Sequence, residues 1–203
     1  MYKRQYVGEK LEKETYTGFD AALDEEQQMK EGKYKKAEKY YDSIFEGIET
    51  ESLPLPDCSG KTPERGYLSM PVDTGEPLVL SACEKLGVTP NILFTGVFGI
   101  LMSRYSNSEE SLFATIYNGR NDSRLSETVG MLVKTLPVYS DFSGSLKDGL
   151  LAVQQQLIDS MNNDIYPFSQ ISHEFSIKAD AMVIYQGAVS YTHLRAHETG
   201  AYL

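Results

Sequence analysis

An α/β fold built on a mixed sheet is the expectation raised by three features of the sequence. Leu112 to Tyr117 alternates and is rich in residues that suit a pleated, half-buried surface; Val129 to Val138 is a second apolar run; Ala181 to Tyr185 reads as a buried strand. Between and before them lie segments of helical period, with apolar residues three and four apart. Helices that cover strands in this order make an α/β layer structure.

The composition fits one domain of ordinary size, with a formal net charge of −10. No apolar run is long enough to span a membrane, and a net negative chain repels phosphate, so neither a membrane nor nucleic acid is an expected partner. The basic run Lys33-Tyr34-Lys35-Lys36 sits among Glu residues, as on a solvated helix face. Cys58 and Cys83 are far apart and form no CxxC pair, which indicates neither a disulfide framework nor zinc and makes a reducing cytoplasm the simplest compartment.

In chain order, Tyr16 to Asp20 is loop-like, and Asp24-Glu25-Glu26-Gln27 offers the carboxylates that favour a helix start. Ala37, Tyr40, Tyr41, Ile44 and Phe45 then lay an aromatic stripe on a neighbour, as packing rather than as a stacking platform. Gly47 to Gly66 holds Pro54, Pro56 and Pro63 and has the chemistry of a linker. Tyr67 to Val72 is expected to be a short edge strand, with Pro71 at its end.

Leu78 to Leu86 should be a helix closed by Gly87, and Thr89-Pro90 should cap a second one. That second helix, with Ile92, Leu93, Val97, Phe98, Ile100, Leu101 and Met102, is apolar almost all round and is expected to be buried on more than one side, with Gly96 and Gly99 permitting close packing. Ser145 caps a long helix to about Asn163, and Tyr166-Pro167-Phe168 begins a shorter one containing His173, which has no recognisable catalytic partner. His193 and His197, at i and i+4, lack a third ligand, so no metal site is expected.

The stretch from Ser111 to Phe142 carries the functional signal. Asn118-Gly119 ends the first strand in a tight turn, a polar loop with Arg120, Asp122, Arg124 and Glu127 follows, and Gly130 stands at the entrance of the second run, where close passage of the backbone is expected. Gly119, Arg120, Val129, Gly130, Met131, Leu132, Val133, Thr135, Leu136 and Pro137 resemble the second half of a condensation domain of nonribosomal peptide synthetases, whose pattern is a strand ending in Gly-Arg followed by V-G-x-F-x-N-T-L-P. Lys134 departs from that pattern, which usually has Asn. An ammonium only donates and brings charge, whereas an amide donates and accepts.

The resemblance implies a chloramphenicol acetyltransferase-like lobe, a two-layer mixed sheet with helices. It implies a partner lobe and a tunnel entered by the phosphopantetheine arms of carrier proteins, with no cofactor bound directly. Amide formation between carrier-bound thioesters is the implied reaction, with a His of an H-H-x-x-x-D-G motif on the first lobe. This sequence has no such motif, so the chain alone is expected to be inactive and to depend on the missing first lobe, a peptidyl carrier protein and adenylation domains. Gly119, Arg120, Gly130, Lys134 and Thr135 are the residues placed at the tunnel wall or lobe interface; the same residues also read as turn and strand positions with structural partners. An epimerising or other carrier-dependent acyltransferase, and a non-catalytic carrier-docking module, share the resemblance.

The resulting division is 1–5 and 189–203 as segments similar to translated sequencing-adapter readthrough, 6–65 as an inter-lobe helix and linker, and 66–188 as a truncated second lobe.

Overall fold

Three strands form the sheet in the computed structural model, which describes residues 15–48, 66–70, 75–126 and 128–186. Strand β1 (Glu110–Tyr117) lies between β2 (Lys134–Asp141) and β3 (Met182–Val183), antiparallel to the first and parallel to the second. The α/β class and the mixed sheet therefore hold. The expected second run starts later than its apolar composition indicates. Residues 129–133 lie outside β2, and Val129, Met131 and Val133 are 58%, 87% and 44% exposed. Pairing decides this boundary: Lys134 is the residue that meets Tyr117, the last of β1. The third run is an edge rather than a buried strand, with two paired residues and a half-exposed Met182.

Helix α1 (Gly18–Lys30) begins at a capping box, in which the Thr17 hydroxyl accepts from Asp20 N at 3.3 Å and Asp20 Oδ2 accepts from Thr17 N at 2.8 Å. The carboxylates at Asp24 to Glu26 are thus mid-helix, because the helix starts at the reciprocal cap upstream, which satisfies the N–H groups of Thr17 and Asp20. Helix α2 (Lys33–Phe45) buries Ala37, Tyr41 and Phe45 and leaves Lys33, Lys35 and Lys36 in solvent.

Residues 66–70 form no strand: Tyr67 and Leu68 are 93% and 81% exposed, with no sheet partner among the described residues to pair their backbone. Pro71 and Val72 lie outside the described residues, as do most of the linker, Cys58, both termini, His193 and His197.

Helix α3 (Glu76–Leu86) ends at Gly87, φ 74°, and α4 (Pro90–Tyr105) begins at Thr89, whose hydroxyl accepts from Ile92 N at 3.3 Å. Helix α5 (Leu146–Asn162) is capped by Ser145, which accepts from Asp148 N at 3.1 Å, and α6 (Phe168–Glu174) buries Ile171. His173 is exposed in the last turn of α6.

The core sits on both faces of the sheet. Phe113, Leu136 and Val138 pack with Ile92 of α4 and Leu150, Val153 and Leu157 of α5; Leu112 packs on the opposite face with Tyr41 and Phe45 of α2 and Ile171 of α6. Each fully covered side chain contributes about 1.5–3 kcal/mol before entropy. A Cβ on Gly96 would stand 2.2 Å from Leu150 Cδ2, so α4 and α5 approach as closely as that glycine allows. Among the described residues the outer side of α4 is only partly covered: Phe94 stacks on Tyr185, yet Phe94, Val97, Leu101 and Tyr105 remain 36–71% exposed. Uniform apolarity gave no face to choose, and only the side bearing Thr95, Gly96, Gly99 and Ser103 is small enough to fit against the sheet.

Candidate functional site

The mouth of the β1–β2 hairpin and helix α1 enclose a cleft of about 330 Å³, lined among others by Gly119, Leu132, Lys134, Glu25 and Asp164. The local sequence builds it in steps. Gly119 leaves β1 at φ 68°, and a Cβ there would be 1.8 Å from the Leu132 carbonyl oxygen, so only glycine lets the two arms of the loop pass. The close passage expected at Gly130 is found here instead: nothing lies within 4 Å of a Cβ on Gly130, which is exposed. Asn118 Oδ1 then accepts from Arg120 N at 3.0 Å, closing the turn.

Arg120 is turned onto its own loop, its Nη1 donating to the carbonyls of Leu125 and Thr128, the latter at 3.0 Å. Thr128 in turn donates to the Tyr16 carbonyl at 2.7 Å, so the loop is tied to the chain just before α1. Arg124 binds Asp122 at 2.6 Å and Asp24 at 2.9 Å and lies over the Tyr16 ring at 4.5 Å. The hydrogen bond from Arg124 holds the Asp122 carboxyl below the usual carboxylate range, and the bond that Tyr16 donates to Asp24 raises the Tyr16 phenol.

Lys134 opens β2 with its ammonium inside the cleft. Nζ donates to Glu25 Oε1 at 3.0 Å and to the Asp164 carbonyl at 3.1 Å, and stands 3.6 Å from Asp164 Oδ1. Burial pushes the Asp164 carboxyl above its usual range, with Lys134 opposing and Glu25 adding to the rise. Of the residues marked in the sequence, Gly119 and Lys134 meet in the cleft and Arg120 braces the loop beside it; Gly130 and Thr135 do not line it. Glu25, Asp164 and Tyr16 carry no sequence signal of a place in the cleft, since these roles exist only once α1, β2 and the α5–α6 connection are side by side.

The cleft holds cations, carboxylates, amides and the Tyr16 phenol, which donates to Asp24, but no Ser, Thr, Cys or His is among its lining residues, His173 included. A larger groove of about 690 Å³ lies between α2 and α5, bordered by Tyr40, Tyr139, Asp141 and Asp148, and is lined by none of Gly119, Arg120, Gly130, Lys134 and Thr135. Among the described residues no group of three His, Cys, Asp or Glu is placed to hold a metal ion.

A family model described as "Condensation domain" matches residues 1–196. The chain belongs to the condensation-domain family. Similar relatives of this family member include Surfactin synthase subunit 1 of Bacillus subtilis (strain 168), 26% identical over an alignment of 184 positions that covers 87% of this chain and 5% of the relative. A hybrid PKS-NRPS synthetase of Neonectria sp. (strain DH2) is 25% identical over an alignment of 202 positions that covers 93% of this chain and again 5% of the relative. The fold is that of solved condensation domains. The first condensation domain of the calcium-dependent antibiotic synthetase superposes with TM-score 0.67 at 16% identity, over 90% of this chain and 42% of that one. The X-domain from teicoplanin biosynthesis superposes with TM-score 0.69 at 18% identity, over 87% of this chain and 42% of that one. The condensation-domain chain thus spans well under half of the solved domains and about 5% of the synthetases.

Proposed function

We propose that this chain is the second-lobe part of a nonribosomal peptide synthetase condensation domain and forms one wall of its carrier-fed tunnel. The observation that carries this reading is the condensation-domain match over residues 1–196. The Gly119-Arg120 turn and the Val129 to Pro137 segment, the residues that resemble the family's second lobe, border the cleft or lie next to it.

In the reaction, the amine of an acceptor held on one carrier attacks the thioester carbonyl of a donor held on another. A C–N bond forms, the C–S bond breaks, and the proton lost by the amine balances the thiolate released on the donor's phosphopantetheine arm. An acyl transfer of this kind needs a group within hydrogen-bond reach of the amine or the oxyanion. The sequence contains three histidines, none adjacent to another, and no H-H-x-x-x-D-G. That group therefore comes from a first lobe, while this chain supplies wall, support and lobe contacts, and it is inactive by itself. Peptidyl carrier and adenylation domains are the partners that load the two substrates.

The test is turnover of a pair of aminoacyl carrier proteins, followed by intact-protein mass spectrometry. The purified chain should leave both carriers unchanged, and the chain completed with an H-H-x-x-x-D-G lobe should give a dipeptidyl carrier. Product from the chain alone overturns the assignment of catalysis to the first lobe. Carrier binding without product by the completed domain favours the docking reading.

A further inference from the structure

Helix α1 covers the cleft, yet none of its residues is buried. Its neighbour α2 is the contrast, with Ala37, Tyr41 and Phe45 in the core. Tertiary burial of an apolar face is what normally fastens a short helix to a domain. Helix α1 instead turns its large apolar side chains to solvent, Phe19 at 71%, Leu23 at 47% and Met29 at 43% exposure. Its ion pairs across the cleft are Glu25 to Lys134 and Asp24 to Arg124, and just before the helix the Tyr16 carbonyl accepts from the Thr128 hydroxyl.

We propose that α1 is a detachable cover, held by an ion-pair clasp of Glu25–Lys134 and Asp24–Arg124, which opens as a unit about Gly32 and uncovers the cleft while α2 and the sheet stay folded. The cations are placed to make opening cheap. Lys134 keeps Asp164 when Glu25 leaves, and Arg124 keeps Asp122 when Asp24 leaves, so neither charge is stranded. Glu31 and Gly32 alone separate α1 from α2, and Gly32 sits at φ 87°, a backbone state in which glycine rotates at little cost. A 13-residue helix off its support does not hold itself together in water, so opening melts α1 and frees its amides. The inference concerns the mechanics of this lobe and is independent of the catalytic reading above.

Hydrogen exchange read by mass spectrometry on the full 203-residue chain tests it. The α1 amides should exchange at least about tenfold faster than those of the buried turns of α2. Their rate should rise a further twofold or more, by order of magnitude, between about 0.05 M and about 1 M NaCl, since salt screens exposed pairs. Glu25→Gln and Asp24→Asn should raise it at low salt and weaken its salt response. Glu26→Gln, which removes the pair to Lys30 at 2.7 Å within α1, separates detachment from fraying and should change α1 exchange less than Glu25→Gln does. Protection of α1 equal to that of α2, or rates unmoved by salt and by Glu25→Gln, or an effect of Glu26→Gln as large as that of Glu25→Gln, overturns the proposal.

Discussion

The hydroxyls of Ser111 and Ser140 meet at 2.8 Å across the β1–β2 ladder, both within the core and directly opposite in register. A Cβ on Gly99 of α4 would stand 2.5 Å from Ser140 Oγ, so the pair has no room for water on that side. Ser140→Ala leaves the Ser111 hydroxyl buried without this partner and should cost about 1–3 kcal/mol. The double variant Ser111→Ala/Ser140→Ala should cost less than the sum of the two single ones, because it removes donor and acceptor together. Urea unfolding of the three variants measures both quantities.

Gly119→Ala forces a side chain into positive φ and against the Leu132 carbonyl, so a loss of at least about 2 kcal/mol is expected. Gly130→Ala, in open space, should stay within about 0.5 kcal/mol of the parent. The two denaturation midpoints distinguish a structural glycine from a tolerant one within a single loop.

Leu150 is fully buried where α5 meets α4 and the sheet. Leu150→Ala should destabilise by about 2–5 kcal/mol through lost burial and the cavity left behind. Because the Leu150 side chain is what a methyl on Gly96 would strike, Gly96→Ala should cost less in the Leu150→Ala background than in the parent. A thermodynamic cycle measures the coupling; strict additivity would place the two residues in independent packing sites.

Asp164 gives stability a pH dependence of definite sign. Its folded-state pKa is raised, chiefly by burial, above an unfolded value of about 3.9. The stabilisation attached to the protonated form is therefore full below the unfolded value and is lost as pH rises through the folded one. The stability of the parent minus that of Asp164→Asn should fall across this window and then level off. Urea titrations at a series of pH values from about 3.5 to about 7 give the difference; a rise with pH would mean that Lys134 stabilises the carboxylate more than burial penalises it.

Helix existence was legible in the sequence wherever a cap or a period announced it. Thr89-Pro90, Gly87 and Ser145 mark ends that the structure keeps, because caps act within one turn and need no distant partner. The same locality misplaced the start of α1, where a Thr17–Asp20 box outranks the more conspicuous carboxylates downstream. Strand limits were less legible. Residues 66–70, 129–133 and 184–185 are as apolar as paired strands, but pairing needs a neighbour at the right register, and that neighbour lies far away in sequence.

The residues of Gly119-Arg120 and of Val129 to Pro137 pointed to the family that the match over residues 1–196 shows, since turn chemistry and apolar order are written in consecutive positions. Tertiary structure alone decided what those residues touch. It brought Glu25 and Asp164 to Lys134 from separate elements, turned Arg120 onto its own loop, and left α1 over the cleft without a buried side chain. Side-chain charge is a property of the residue, but partnership depends on distances between elements, and a linear pattern holds no record of those distances.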